Sequence, residues 1–82
     1  MDDTQWQAQQ ELDARELLCP MPLLKMRQAL RGMSLGERLL VKATDPGAAR
    51  DIPAYLRQSS HQLVRKASVD GELWFLVEHG EA

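Results

Sequence analysis

The residue best suited to covalent chemistry is Cys19, the only cysteine of the chain, which stands in the stretch Cys19-Pro20-Met21-Pro22. A thiolate is the reactive form of cysteine, and a helix N-terminus favours it through partial positive charge and unpaired N–H groups. Pro20 suits the first position of a helix, and Pro22 still falls where backbone N–H groups lack intrahelical partners. We therefore predict that both prolines shape a loop and helix start that present Cys19 on a rigid platform.

The chemistry open to one cysteine is limited. No second cysteine is present for disulfide exchange, and neither His61 nor His79 stands where a catalytic partner of Cys19 would be obvious. These residues show no metal-ligand spacing, so we expect no metal site and no cofactor. A reactive thiol without a base suits a carrier, which accepts a group such as a persulfide sulfur and surrenders it to another thiol.

Two other interpretations of Cys19 stay open at this point. Free cysteine is among the most buried residue types, so Cys19 could be an inert part of the core. A redox sensor is the second alternative, although the absence of a resolving cysteine disfavours it.

The composition is that of one small globular domain: 82 residues, 44% hydrophobic and 27% charged. A net charge of −2 argues against direct binding to nucleic acid, which usually needs a basic excess. The sequence has no run of about 18 apolar residues to span a membrane, and its acidic, polar start is unlike a signal peptide. We therefore expect a cytoplasmic protein, reduced at its thiol and monomeric, without a membrane partner.

The hydrophobic pattern predicts the element order β-α-β-α-β-β. Strands are expected at residues 11–15, 37–44, 62–69 and 72–78, and helices at 20–33 and from residue 45 onward. Asp70-Gly71 between the last two strands is a strong hairpin signal. The simplest packing is a two-layer α/β (α+β) sandwich, with a four-stranded mixed sheet and both helices on one face. Residues 1–8 are expected to form a flexible arm, and residues 9–82 a single domain.

The second helix carries two local signals. Asp45 followed by Pro46 predicts an N-cap and a proline at the first helical position. Pro53 falls inside the segment, where its ring would clash with the preceding turn. We expect either a kink near Ile52 or a short first turn and a restart capped by Asp51.

Two surfaces could bind a partner. Arg27 and Arg31 lie one helical turn apart; they form either a solvated face or a basic patch beside Cys19 that docks an acidic partner. On the sheet face away from the helices, alternation places four apolar side chains: Leu40, Val64, Trp74 and Leu76. That face is either an exposed interface or is covered by the N-terminal arm through Trp6.

The motif around Cys19 also resembles that of a known protein family. Leu12-Asp13-Ala14-Arg15 with Cys19-Pro20-Met21-Pro22 resembles the Leu-Asp-x-x-Gly-x-x-Cys-Pro-x-Pro signature of the TusA/SirA-like sulfur-carrier family. The likeness covers about residues 10–79 and continues in Gly36-Glu37, Thr44-Asp45-Pro46, Asp51-Ile52-Pro53 and His61-Gln62-Leu63.

The resemblance implies the same two-layer sandwich and a sulfurtransferase with little activity away from its partners. It implies that Cys19 takes sulfur as a persulfide from a cysteine desulfurase or other donor protein and gives it to a downstream sulfur-relay protein. In one branch of the family the sulfur reaches 2-thiouridine in tRNA. Other branches serve sulfur oxidation or thiosulfate use, and some have no settled role, so a non-catalytic interaction or regulatory module is the alternative. The resemblance also places Asp45 near the cysteine end of the sheet, where partners would dock.

The chain departs from the family pattern at Glu16, where a glycine is usual. If that position needs a positive φ, glutamate costs on the order of 1 kcal/mol. Its negative charge would also oppose formation of the Cys19 thiolate, whereas Arg15 and Lys25 would favour it if they lie near.

Overall fold

The computed structural model describes residues 6–80, which form a four-stranded mixed sheet and two helices. In chain order the elements are β1 (Gln10–Ala14), α1 (Met21–Arg31), β2 (Arg38–Ala43), α2 (Ala48–Arg57), β3 (Gln62–Val69) and β4 (Glu72–Glu78). The strand order is β1-β2-β4-β3, with β1 parallel to β2 and the other pairs antiparallel. The predicted fold class and element order are confirmed. Residues 1–5 of the expected arm lie outside the described residues.

The parallel pairing of β1 with β2 decides where the thiol lies. The register runs from Gln10 opposite Leu39 to Ala14 opposite Ala43, so both strands end at the same edge of the sheet. The loop that leaves β1 and the loop that leaves β2 therefore start side by side. The first carries Cys19 and the second leads into α2.

The core lies between the two helices and one face of the sheet. From α1 and the turn after it, Met26, Leu30 and Met33 are buried, and Leu23 packs against them partly exposed. From α2 and the inner face of the sheet, the buried residues are Ala48, Ile52, Leu56, Leu39, Val41, Ala43, Phe75 and Val77. Both helices therefore cover the same face of the sheet.

The first helix begins and ends within two residues of its predicted bounds. Pro20 is the N-cap, Met21 is the first helical residue, and Pro22 follows as a buried residue of the first turn. The expected extension to Met33 is wrong, because Gly32 is the C-cap and ends the helix at Arg31. Pro20 therefore lies one position before the first helical position expected for it, and Pro22 lies in the first turn, where backbone N–H groups lack intrahelical partners.

The second helix corrects two predictions. Its N-cap is Gly47 rather than Asp45, because tight turns after β2 delay the helix: the Ala48 N–H donates to the Asp45 carbonyl at 3.0 Å. The helix then runs through the buried Pro53 to Arg57 without interruption, so no restart occurs at Asp51. Asp51 instead stands in the first turn, and the carboxylates of Asp45 and Asp51 are both left to other partners.

The β3–β4 hairpin has the predicted bounds and turn. Asp70 and Gly71 both have positive φ, 50° and 82°, which is the requirement of a two-residue type I′ turn. A bulge interrupts the pairing between Leu63 and Arg65, so that Arg65 takes the position opposite Leu76. Val64, which alternation placed on the face away from the helices, stands in this bulge and has no partner in the register of β4.

The sheet face away from the helices is not an exposed apolar interface. Leu40 and Leu76 are buried there. The Trp6 ring packs edge-on against Trp74, with 5.4 Å between the ring centroids, and the Arg65 guanidinium lies 4.8 Å from the centroid of Trp6. Of the two interpretations of this face, cover by the N-terminal segment through Trp6 is confirmed.

Candidate active site

Cys19 lies in the loop between β1 and α1, directly before the N-cap Pro20, and its side chain is exposed. The peptide bond that joins Cys19 to Pro20 is cis. The interpretation of Cys19 as part of the core is therefore wrong. The thiol stands at the edge of the sheet where β1 and β2 both end.

Two carboxylates from the segment after β2 bind Cys19. The backbone N–H of Cys19 donates a hydrogen bond to Oδ2 of Asp45 at 3.0 Å. The Sγ–H group of the same residue donates to Oδ2 of Asp51. The segment therefore fixes both the main chain and the sulfur of the cysteine, which explains why neither carboxylate caps α2.

Gly47 allows this arrangement because it brings the backbone close to the thiol. A Cβ atom on Gly47 would lie 3.0 Å from Cβ and 3.3 Å from Sγ of Cys19, and 2.9 Å from Oδ2 of Asp45. A side chain at this position would therefore displace the cysteine or its carboxylate partner.

The electrostatic setting of Cys19 is opposite to the one predicted. The hydrogen bond to Asp51 raises the pKa of the Cys19 thiol above its ordinary value; partial desolvation and the charges of Asp51 and Asp45 act in the same direction. Only Arg50 opposes them among the causes of the shift. The same hydrogen bond lowers the pKa of Asp51. The two carboxylates therefore favour the thiol form of Cys19 over the thiolate.

The basic residue before this loop is engaged elsewhere. Nε of Arg15 lies 2.8 Å from Oδ1 of Asp13, and Nη1 lies 3.0 Å from Oε2 of Glu72. Arg15 therefore ties the end of β1 to the start of β4. Its charge is paired with these carboxylates, and Arg15 is not among the causes that shift the pKa of Cys19.

Glu16 adopts the conformation that favours glycine. Its φ is 68°, in the left-handed region, and its N–H donates to Oγ1 of Thr44 at 2.8 Å. The condition under which a glutamate is strained at this position is therefore met. The hydrogen bond to Thr44 joins the loop after β1 to the end of β2.

Three exposed apolar side chains stand on the loop that carries Cys19 and on the first turns of α1. Leu18, Met21 and Leu24, here called the apolar rim, are 73%, 40% and 46% exposed. Reasoning from the sequence missed this rim, although its spacing of three residues was visible. The segment from Leu18 to Leu24 therefore combines exposed apolar side chains with a cysteine that two carboxylates contact.

The structure separates the predicted docking residues. Asp45 lies at Cys19, whereas Arg27 and Arg31 lie further along α1, whose ten steps from Met21 to Arg31 span about 15 Å. There they line a cleft of about 150 Å³ with Leu30, Tyr55, His61 and His79. The Arg27 guanidinium lies 5.1 Å from the centroid of the Tyr55 ring.

Residues 6–80 lack the side-chain cluster that a metal centre needs. No group of three or more histidine, cysteine, aspartate or glutamate side chains in that part of the chain could hold a metal ion. Neither described helix combines the length and the apolar character needed to cross a membrane.

The fold matches a class of small α/β proteins known from solved structures. The SirA-like protein from Desulfitobacterium hafniense superposes with a TM-score of 0.77 at 19% sequence identity, over 88% of this chain and 99% of that one. This likeness shows the fold.

Sequence comparison shows the family. The family model of sulfurtransferase TusA matches residues 10–79. The sulfur carrier protein TusA of Allochromatium vinosum is 41% identical over 69 residues, which cover 84% of this chain and 91% of that protein. The chain therefore belongs to the TusA family of sulfur carriers.

Proposed function

We propose that Cys19 accepts a sulfur atom as a persulfide from a donor protein, such as a cysteine desulfurase, and passes it to the thiol of a downstream relay protein. The observation that carries the proposal is the setting of this thiol: the only cysteine of a TusA-family chain is exposed, and both its N–H and its sulfur are held by hydrogen bonds.

The transfer chemistry needs no pocket and no cofactor. In loading, the sulfur of Cys19 attacks the terminal sulfur of the donor persulfide. The donor S–S bond breaks, its electron pair leaves with the donor thiolate, and a new S–S bond forms on Cys19. In discharge, an acceptor thiolate attacks the terminal sulfur of Cys19 in the same way. Sulfur changes hands without net oxidation, so an exposed thiol and a docked partner suffice.

Docking would involve both ends of α1. The apolar rim supports contact with a partner around the sulfur, where burial of exposed apolar surface favours association. Arg27 and Arg31 would add a basic contact for an acidic partner surface, and Asp45 would lie under the point of approach. Reversing both charges, Arg27→Glu with Arg31→Glu, should slow loading from a donor protein and leave loading from a small persulfide unchanged.

The test of the carrier function is intact-mass spectrometry after incubation with a cysteine desulfurase and cysteine. The native chain should gain one sulfur atom that a reductant removes, and Cys19→Ser should gain none. A Cys19→Ser variant that gains sulfur as well as the native chain would contradict the proposal. If neither the desulfurase, thiosulfate nor polysulfide loads the native chain, the non-catalytic interaction module becomes the better account of the fold.

The pathway downstream is a separate question with a separate test. Deletion of the gene, followed by analysis of tRNA nucleosides, assigns the chain to tRNA thiolation if 2-thiouridine is lost and returns with the native gene but not with Cys19→Ser. Retention of 2-thiouridine directs attention to sulfur oxidation or thiosulfate use.

A further inference from the structure

We propose that Asp51 is a catalytic residue of sulfur transfer: its carboxylate takes the proton of the Cys19 thiol as the sulfur attacks, then gives that proton to the departing thiolate of the donor. The inference rests on the proposed carrier function, because it concerns how Cys19 is loaded. Nothing in the sequence motif around Cys19 points to this role, since Asp51 stands on the other helix.

The geometry gives Asp51 a defined contact with the reacting atom. Oδ2 of Asp51 accepts the hydrogen bond from Sγ of Cys19, and Oδ1 faces Nε of Arg50 at 3.5 Å. The Asp51 side chain is only 23% exposed, although the thiol itself is open to solvent. Both carboxylate oxygens thus have partners, and the one on the thiol side points at the proton that must leave.

The neighbouring contacts hold the thiol in place against Asp51. The N–H of Cys19 is fixed by Asp45, and the backbone of Gly47 lies directly against the cysteine side chain. The cysteine is therefore oriented from its main chain and packed on one side. This is the positioned proton acceptor that general acid–base catalysis requires.

The arrangement also resolves an apparent contradiction in the site. A carboxylate beside a thiol disfavours the thiolate, which is the form that attacks. If the proton moves onto Asp51, however, that carboxyl group becomes neutral, and of the two carboxylates only Asp45 still opposes the new thiolate by its charge. The neutral carboxyl then holds a proton next to the position where the donor sulfur departs.

The proposed step balances in atoms and electrons. Cys19 Sγ forms a bond to the terminal sulfur of the donor persulfide while its proton passes to Oδ2 of Asp51. The donor S–S bond breaks and its electron pair stays on the donor sulfur, which then receives the proton from Asp51. The products are the Cys19 persulfide and the donor thiol, and Asp51 returns to its starting form.

The decisive variant is Asp51→Asn, loaded with glutathione persulfide so that no protein docking is involved. We expect its loading rate near neutral pH to fall by roughly 10²-fold, the low end of what a positioned acid or base contributes. Asp51→Glu should recover part of the rate, because it restores a carboxylate. Asp70→Asn makes the same chemical change in the β3–β4 turn and should load like the native chain.

Alkylation of the same variants by iodoacetamide separates catalysis from a mere electrostatic effect. Asp51→Asn removes the charge that keeps Cys19 protonated, so its alkylation at neutral pH should be faster than that of the native chain. Alkylation proceeds from the thiolate and expels iodide, which needs no proton, so the return of a proton by Asp51 plays no part in it. Faster alkylation together with slower persulfide loading is the result expected, and retained circular dichroism and unfolding midpoint show that the fold persists.

Each other outcome overturns the inference. If Asp51→Asn speeds both reactions, Asp51 only suppresses the thiolate; if loading is unchanged, the carboxylate takes no part in transfer. In both cases the carrier function still stands if the native chain gains sulfur and the Cys19→Ser variant does not. A native chain that gains no sulfur from any donor overturns the carrier function and the role of Asp51 together.

Discussion

Gly47 and Cys19 are packed so closely that a methyl group on residue 47 would lie 3.3 Å from the Cys19 sulfur. The backbone of Gly47 has φ −61° and ψ −27°, which alanine also adopts without strain. Any destabilisation by Gly47→Ala therefore comes from the contact, because the backbone itself favours alanine over glycine. The close approach makes this glycine part of the site, although it has no reactive atom.

We expect Gly47→Ala to displace the Cys19 side chain or the Asp45 carboxylate, which the new Cβ would approach to 2.9 Å. Overpacking of this kind costs about 1–3 kcal/mol in the free energy of unfolding. Chemical denaturation measures that loss, and mass spectrometry of persulfide loading should show slower sulfur acceptance. Gly32→Ala is the matched control, because its Cβ would meet only the Ala29 carbonyl at 3.9 Å. Equal behaviour of the two variants would contradict the packing argument.

A second prediction concerns Glu16, whose φ of 68° strains an L-residue. Glu16→Gly should be more stable than Glu16→Ala by roughly 1 kcal/mol, because glycine relieves the left-handed strain while its greater freedom in the unfolded chain offsets part of the gain. Both variants lose the same charge, so the comparison isolates the backbone. Urea denaturation of the pair measures the difference. An alanine variant as stable as the glycine variant would show that the strain is absent in solution.

A third prediction follows from the raised pKa of the Cys19 thiol. The rate of alkylation by iodoacetamide should rise with pH and reach half its maximum at a higher pH in the folded chain than in the chain unfolded by urea. Asp45→Asn should lower that midpoint, since it removes one of the negative charges that disfavour the thiolate. A folded midpoint below the unfolded one would mean that the helix N-terminus dominates after all.

The fold was predictable from the sequence because its signals are local. Asp70-Gly71 specifies the turn between β3 and β4, and the apolar spacing of Met26 and Leu30 specifies the buried side of α1. The bulge after Leu63 was not predictable, because nothing in the alternation of β3 marks it.

The site was only half predictable for a different reason. Cys19 and its prolines stand together in the chain, so their motif could be recognised. Asp51 and Gly47 reach the thiol only because β1 and β2 are parallel and end at one edge. Asp45 gave the local signal of an N-cap, but its carboxylate binds the N–H of Cys19, a partner that no sequence window contains. The pKa of the thiol was therefore predicted in the wrong direction.

The fourth prediction concerns the two histidines at the other end of the sheet. The rings of His61 and His79 lie 4.7 Å apart between centroids, and Nδ1 of His61 accepts the N–H of Gly80 at 3.0 Å. Burial, with the charge of His79 as a smaller cause, lowers the pKa of His61 below its ordinary 6.5. Unfolded His61 therefore binds a proton more readily than folded His61. Stability from this group is complete above about pH 6.5 and is lost as the pH falls below that value.

The variant that tests this is His61→Asn, whose side-chain oxygen can still accept the Gly80 N–H but does not titrate. Native protein should lose stability between pH 7 and about pH 5.5, and the His61→Asn variant should lose less over the same range. Urea unfolding at a series of pH values measures how steeply the free energy of unfolding of each protein depends on pH. His79→Asn is the paired variant: since it removes the neighbouring charge, it should reduce the slope only in part. If the free energy of unfolding decreases equally with falling pH in the native chain and in His61→Asn, His61 does not control the loss of stability in acid.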